Sequence, residues 1–357
     1  MSARPVLIIA GGTGGHVFPA LAVAQVLSGR SVPVIWLGTP SGLEARVVPE
    51  AGLTLETVSV RGLRGNGLAG WLKAPWMVAR AMVQTLSVVR RHRPRVVLGM
   101  GGYVAGPGGV VARLRRLPLV IHEQNAIAGF TNRLLSRLAV RVLTGLDAPF
   151  PRGVKTEFTG NPLRAGIASR QTAGGTTHAG RPRLLVVGGS LGALSLNRAV
   201  PEAIAALPEA DRPDIRHQAG RRTLDIARGA YARNAVNARV DAFIDDMAEA
   251  YRWCDLVVCR AGALTVSELA AAGVPAILVP FPHAVDDHQT ANARFLVDAG
   301  GACMIADDEL GPERLTGLLS ALLGDRDRLR AMGDAARRVG RPAAAERVAD
   351  ICMEVAA

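Results

Sequence analysis

The chain has 357 residues, 49% of them hydrophobic and 20% charged, with 40 Gly and only 7 Phe, 4 Trp and 3 Tyr, a composition that excludes a disordered, collagenous or coiled-coil protein. At roughly 100 to 200 residues per domain, the length accommodates two domains, each able to bury a core. Forty-two Lys and Arg against 30 Asp and Glu leave a formal charge of +12, a field that draws phosphates, anionic lipid or nucleic acid without choosing among them.

From Pro5 to Gly29 the chain carries no Asp, Glu, Lys or Arg, but Gly11, Gly12, Gly14, Gly15 and Pro19 interrupt the run, so neither a signal peptide nor a membrane span is expected. Residues 6–10 are a short aliphatic run ending at GGTGGH (11–16). Val17, Leu21, Ala24 and Leu27 then recur at helical spacing, which predicts strand, glycine turn, helix. Further buried-strand candidates are 32–38, 95–102, 119–124 and 141–145. The same grammar returns at 183–187, followed by GGSLGA (188–193) and a helical stretch at 194–207, then strands at 255–262 and 275–282. Short aliphatic strands alternating with helices predict an α/β protein of two doubly wound parallel sheets. The polar stretch around 170–181 marks the junction, giving domains of 1–163 and 164–340. Residues 341–357 end in an alanine-rich helix able to pack on either half.

The four cysteines, Cys254, Cys259, Cys303 and Cys352, show no metal spacing and no disulfide density, and are expected to be reduced thiols of a cytoplasmic protein. In open parallel sheets, ligands sit beyond the carboxyl ends of strands, where backbone N–H groups and helix N-termini face a phosphate. Both glycine turns hold that position; the plainer reading is close helix packing. GTGGHV lacks the last glycine of a dinucleotide fingerprint, and no Walker sequence occurs.

His16, directly after the first turn and near a helix N-terminus, can act as a general base or merely hydrogen-bond the turn. HEQN (122–125) is expected as an exposed polar cluster after a strand. In CRAGALTVSELAAAG (259–273), Thr265 to Glu268 matches a capping box; Glu268 either caps its helix or accepts from ribose hydroxyls. Arg260 can neutralise a diphosphate or pair with a surface acid. Asp286 and Asp287 are expected to cap a helix, with Gln289 reading hydroxyls. No D-x-D stands among the strand ends, so neither a metal nor a cofactor is expected.

GGTGGHVFPALAVA, MGGYVAGPGG, HEQNAIAGFTNR, GNPLR, GGSLGALSLN, FIDDM, CRAGALTVSELAAAG and DDHQTANA resemble, in order and over essentially the whole chain, the peripheral bacterial glycosyltransferases that make lipid II. The resemblance implies a GT-B fold, two Rossmann-like domains facing across a cleft. It implies an inverting transfer of N-acetylglucosamine (GlcNAc) from UDP-GlcNAc to a polyprenyl-diphospho-linked muramoyl-pentapeptide acceptor, lipid I. By motif, Thr13, Gly14 and Gly15 approach the donor and Asn125 contacts its sugar. Arg164 and Ser190 bind near the diphosphate, and Ile244 meets the uracil through its backbone. Ala263, Leu264, Thr265, Val266, Ser267 and Glu268 hold phosphate and ribose, and Gln289 holds sugar hydroxyls. His16 leads as base, with Glu123 as the other catalytic candidate. Leu191, Ala261 and His288 depart from the residues usual at those motif positions.

Such an acceptor stays in the bilayer, so the resemblance implies peripheral docking on the cytoplasmic face of the membrane. The segment RGLRGNGLAGWLKAPWMVARAM (61–82) suits an anionic surface, with Leu63, Leu68, Trp71, Leu72 and Trp76 among basic residues. Its plainer reading is a helix packed on the N-terminal sheet. Two other functions fit parts of the pattern. A non-hydrolysing UDP-GlcNAc 2-epimerase shares fold and nucleotide, whereas a nucleic-acid binder would explain the charge but lacks stacking aromatics, so no nucleic acid partner is expected.

Overall fold

A strand covered on both faces reads as an unbroken aliphatic run, and the stretches with that pattern form two parallel sheets. The computed structural model describes residues 4–60, 67–164, 166–167, 180–189 and 192–356, with 67–73 and 285 described by backbone alone. Two units result, Met1–Arg164 with Pro342–Ala357, and Ala165–Arg341.

The first unit holds β1 (Val6–Ala10), β2 (Val34–Gly38), β3 (Thr54–Thr57), β4 (Val96–Gly101), β5 (Leu119–Glu123), β6 (Arg141–Thr144) and β7 (Thr156–Phe158). They lie in the order β3-β2-β1-β4-β5-β6-β7, each pair parallel. Between them in sequence run α1 (Gly14–Gly29), α2 (Glu44–Glu50), α3 (Gly67–His92), α4 (Ala105–Leu114) and α5 (Phe130–Leu135). Right-handed crossovers that reverse direction at β1 put α1 and α2 on one face and α3, α4 and α5 on the other. The cores follow suit. Ile8 and Ala10 pack with Val17, Ala20 and Val23 of α1, while Leu7 and Ile9 pack with Ala81 and Val88 of α3 and Val111 of α4.

The second unit repeats the scheme with β8 (Arg183–Val187), β9 (Asp214–Gln218), β10 (Arg239–Asp241), β11 (Leu256–Cys259), β12 (Ala276–Leu278) and β13 (Ala302–Met304). Their order is β10-β9-β8-β11-β12-β13, again all parallel. Its helices are α6 (Leu194–Ala205), α7 (Leu224–Arg233), α8 (Met247–Trp253), α9 (Ala263–Ala272), α10 (His288–Val297), α11 (Pro312–Leu323) and α12 (Arg326–Val339). The last helix, α13 (Ala344–Glu354), returns to the first unit. Val348, Ala349, Ile351 and Cys352 join the core beneath α1, and Arg30 pairs with Asp350. Burial pushes the Cys352 thiol up to about 12, so it serves as a small hydrophobe.

In each sheet the chain reverses direction between two neighbouring strands, and a crevice opens beyond their carboxyl ends there. In the first unit those strands are β1 and β4, which lead into GGTGGH and MGGY. In the second they are β8 and β11, which lead into GGSLGA and CRAGA. Four of the sequence motifs thus meet in pairs at the two switch points.

Candidate functional site

The first turn is built around a side chain that the sequence reading passed over. Glu44, which opens α2, is fully buried, and its carboxylate accepts from the Gly12 N–H (3.1 Å), the Thr39 N–H (2.9 Å) and the Thr39 hydroxyl (2.7 Å). A Cβ on Gly11, Gly38 or Gly42 would come within 3.0 Å of that side chain, so three glycines exist to admit one acid. Its motif context gave no signal, because an acid in a first helical turn is ordinary. Trp36 adds a second tie, its indole N–H donating to the Ala10 carbonyl at 2.9 Å. Held so, Thr13 takes the N-cap place with extended backbone, and Gly14 and Gly15 open α1 with their N–H groups at its N-terminus.

His16 stands one residue further on, half-buried, with Nδ1 2.8 Å from Gln124 Oε1. Its ring lies against Gly101 of β4. A Cβ there would sit 2.7 Å from Nδ1, and the backbone is at φ +104. Gly101→Ala is therefore expected to displace the imidazole and lower turnover by about 10²-fold, the scale of an ångström misplacement, with UDP affinity unchanged by titration calorimetry. Turnover near wild type would count against a catalytic position for this ring.

The HEQN cluster is not exposed, which corrects the sequence reading. His122, Glu123 and Gln124 are 0%, 2% and 1% accessible, because β5 is covered on both faces and the loop after it folds back over its end. Glu123 accepts from the N–H groups of Asn125 (3.1 Å) and Gly129 (3.0 Å) and from the amides of Asn125 (3.3 Å) and Asn132 (2.8 Å). Four donors, three from its own loop and one from α5, occupy both oxygens, so Glu123 shapes the loop that carries Asn125 and is not placed as a base. His122 lies between Gln124 Nε2 (3.1 Å from Nδ1) and the Gly160 carbonyl (3.0 Å from Nε2). Burial lowers its pKa to about 4.

In the second unit, Ser190 and Leu191 lie outside the described residues. The rest of their turn is anchored by the Gly188 N–H to the Gln218 carbonyl at 3.0 Å, and Gly192 is seated against Ala219 and Thr223. Gln218 also accepts the Ile244 N–H through Oε1 at 3.1 Å, which leaves the Ile244 carbonyl as the backbone group for a base edge. His217, next to Gln218, is wholly buried between the Tyr231 hydroxyl and Asn197 Oδ1, both at 3.0 Å. Desolvation lowers its pKa to about 3.

His122 and His217 carry a shared prediction. A histidine whose folded pKa lies below the unfolded value near 6.5 binds fewer protons folded than unfolded as pH falls, so stability is lost on acidification. The loss begins near pH 6.5 and levels off near pH 4 for His122 and near pH 3 for His217. Each is expected to remove about 1.4 kcal/mol per pH unit within its window. Urea unfolding between pH 6.5 and 5, above most carboxylate titration, measures it; a flat stability there would contradict both assignments.

Around α9 the structure corrects three expectations. The Thr265–Glu268 capping box does not form, because extended Gly262 takes the N-cap place and the helix starts at Ala263. Glu268 instead accepts from the Tyr251 hydroxyl at 2.9 Å. Val266 and Ser267 are buried, and the Val266 N–H is spent on the Gly262 carbonyl, so the first-turn N–H groups of Ala263, Leu264 and Thr265 are the ones for an anion. Arg260 is turned inward. It donates to the Val279 and Pro280 carbonyls (3.2 and 3.1 Å), to the Ser195 hydroxyl (2.9 Å) and to Asp307 (2.6 Å). Asp307 matches its charge and the guanidinium ties β11 to α6, so Arg260 is a strut and not a diphosphate ligand.

Gln289 accepts the Phe281 N–H through Oε1 at 2.9 Å, leaving its NH2 for a hydroxyl. Asp287 occupies the N-cap place of α10, but with left-handed backbone at φ 51. Its carboxylate accepts from the Thr290 hydroxyl at 2.7 Å, which replaces the backbone cap expected of it. Arg164 falls in the first unit, exposed, its guanidinium 4.1 Å from the centre of the Phe18 ring.

Of the docking candidates, Leu63 lies outside the described residues, and Leu68, Trp71 and Leu72 are described by backbone alone, as part of α3. Trp76 is 68% exposed beneath the Arg80 guanidinium, whereas Ala81, Val88 and Val89 of the same helix are core. Among the described residues, no helix is long and apolar enough to cross a membrane.

Comparison with known proteins covers both units. Residues 6–144 match the glycosyltransferase family 28 N-terminal domain and residues 183–350 the glycosyltransferase family 28 C-terminal domain. The UDP-N-acetylglucosamine--N-acetylmuramyl-(pentapeptide) pyrophosphoryl-undecaprenol N-acetylglucosamine transferase of Alkalilimnicola ehrlichii is 61% identical over 99% of each chain. The protein of the same name from Thiobacillus denitrificans is 54% identical over 99% of this chain and 98% of its own. The crystal structure of Acinetobacter baumannii MurG superposes with a TM-score of 0.83 at 40% identity, over 98% of this chain and 99% of that one. The calicheamicin glycosyltransferase CalG4, at 0.68 and 19% identity over 99% and 98%, shares the fold alone.

Proposed function

The chain belongs to glycosyltransferase family 28, and from that premise we infer that it moves GlcNAc from UDP-GlcNAc to the 4-hydroxyl of undecaprenyl-diphospho-N-acetylmuramoyl-pentapeptide, giving lipid II for peptidoglycan. The observation that carries this reading is the 61% identity, along the whole chain, to a relative bearing that activity as its name. The test is direct: label from UDP-GlcNAc must enter a butanol-extractable lipid when that acceptor is supplied. Label that stays on the nucleotide as an epimerised sugar would overturn it.

The chemistry follows from the site. The first-turn N–H groups of α9 and the GGSLGA turn take the diphosphate, Glu268 the ribose hydroxyls, the Ile244 carbonyl the uracil edge, and Gln289 and Asn125 the sugar. The acceptor oxygen attacks C1 of GlcNAc from the face opposite UDP, so the C1–O bond to UDP breaks as the new β bond forms. His16 removes the hydroxyl proton, and the charge leaving on UDP meets helix N-termini and Arg164.

The acceptor's polyprenyl chain remains in the bilayer, so the enzyme docks on the cytoplasmic face, and α3, α4 and α5 suit the task. These neighbours on one face of the first sheet expose Trp76, Leu114 and Phe130 at 68%, 69% and 70%. Arg80, Arg113, Arg115, Arg116, Arg133 and Arg137 stand exposed among them. Basic side chains beside aromatic and aliphatic ones match an anionic headgroup boundary, each cation adding about 1 kcal/mol. Replacing Trp76, Leu114 and Phe130 by Ser is expected to weaken binding to anionic vesicles at least ~10-fold, with turnover of a short-chain soluble acceptor retained. Unchanged vesicle binding in the folded variant would place docking elsewhere.

A further inference from the structure

A general base must present a lone pair, and for histidine the tautomer decides which nitrogen carries it. Four groups of the first unit form a chain: His16 Nδ1 to Gln124 Oε1 at 2.8 Å, Gln124 Nε2 to His122 Nδ1 at 3.1 Å, and His122 Nε2 to the Gly160 carbonyl at 3.0 Å. Two backbone carbonyls fix its direction, since a carbonyl can only accept. The His122 carbonyl receives Gln124 Nε2 at 3.1 Å, so the NH2 end of that amide faces His122 and the oxygen faces His16. The Gly160 carbonyl requires a proton on His122 Nε2, which makes Nδ1 of the neutral ring an acceptor, as the Gln124 NH2 demands. Both ends agree on one polarity, and burial that disfavours a charged His122 keeps it so.

We propose that Gln124 and His122 form a hydrogen-bond relay of fixed polarity that holds His16 as its Nδ1–H tautomer, leaving the Nε2 lone pair as the base. Gln124 acts on the reaction through His16 and is a positioning residue. Its oxygen also accepts from the imidazolium formed when Nε2 takes the acceptor's proton, so the same bond strengthens as the new glycosidic bond forms. The catalytic part of this inference rests on the reading of His16 as base; the tautomer does not.

The experiment is nitrogen-15 NMR of histidine-labelled full-length protein at a pH where His16 is neutral, with the His16 signals assigned by their loss in His16→Ala. A pyrrole-type Nδ1 and a pyridine-type Nε2 are expected. Gln124→Met, which removes the acceptor at similar size, should shift His16 toward Nε2–H and lower kcat by about 10- to 100-fold, the worth of one hydrogen bond to a charged group, with UDP affinity unchanged. Gln124→Glu, held as the carboxylic acid because its second oxygen faces the His122 carbonyl and Nδ1 lone pair, still accepts from Nδ1–H and should restore the tautomer and most of the rate. Nε2–H in the wild type, or Nδ1–H persisting in a folded Gln124→Met, overturns the relay. The expected tautomer shift with wild-type turnover upholds the relay and overturns the base reading instead.

Discussion

Replacing His16 by alanine is expected to lower turnover by about 10²- to 10⁴-fold, the usual contribution of a general base, while UDP affinity stays within a factor of about two. The split follows from the placement of groups. His16 sits at the β1/β4 switch point of the first unit, whereas the nucleotide contacts inferred above, apart from Arg164, belong to the second: the α9 N-terminus, Glu268 and the Ile244 carbonyl. The fold should tolerate the change, because losing the hydrogen bond from the side chain to Gln124 costs about 1 to 3 kcal/mol at most. Single-turnover kinetics with saturating donor, beside calorimetry with UDP, separate the two quantities. Activity within about tenfold of wild type would remove His16 from the chemistry, and abolition of wild-type activity by EDTA would count against a departure of UDP stabilised by protein groups alone.

The parts of this protein that could be read from sequence are those governed by local pattern. GGTGGH and GGSLGA stand out because a glycine run ends an aliphatic strand abruptly, and such a break has few meanings in an α/β chain. What stayed hidden depends on partners distant in sequence. The polar residues of HEQN looked like surface because their ligands, His16 and the Gly160 carbonyl, lie 108 and 38 residues away. Arg260 looked like an anion ligand because Asp307 is 47 residues downstream. Thr265 to Glu268 matched a capping box by spacing alone, yet the helix start is set by Gly262, and the partner of Glu268 comes from α8. The alanine pattern of α13 predicts a helix with one apolar face but cannot name the surface that covers it.

Glu268 repays a more discriminating substitution than alanine. Tyr251 is almost wholly buried and its hydroxyl donates to Glu268 Oε2, so Glu268→Ala would strand that hydroxyl and cost about 1 to 3 kcal/mol of stability whatever the role of the acid. Burial and the Glu268 charge push the Tyr251 pKa well up, so the phenol stays a donor throughout the working pH range and fixes the carboxylate's orientation. Glutamine keeps an oxygen for the phenol and gives up the charge, turning an NH2 toward the vicinal hydroxyls of the ribose. Glu268→Gln is therefore expected to weaken UDP about 10- to 100-fold, the value of a charge-assisted hydrogen bond, with little change in melting temperature. Tyr251→Phe should do the reverse, lowering stability while UDP affinity falls far less, because the acid remains. Calorimetry with UDP and thermal unfolding on the two variants make the comparison. Wild-type UDP affinity in Glu268→Gln would confine the acid to holding α8 against α9, whereas equal losses of affinity in both variants would mean that the Tyr251 bond, by aiming the carboxylate, contributes as much to nucleotide binding as its charge does.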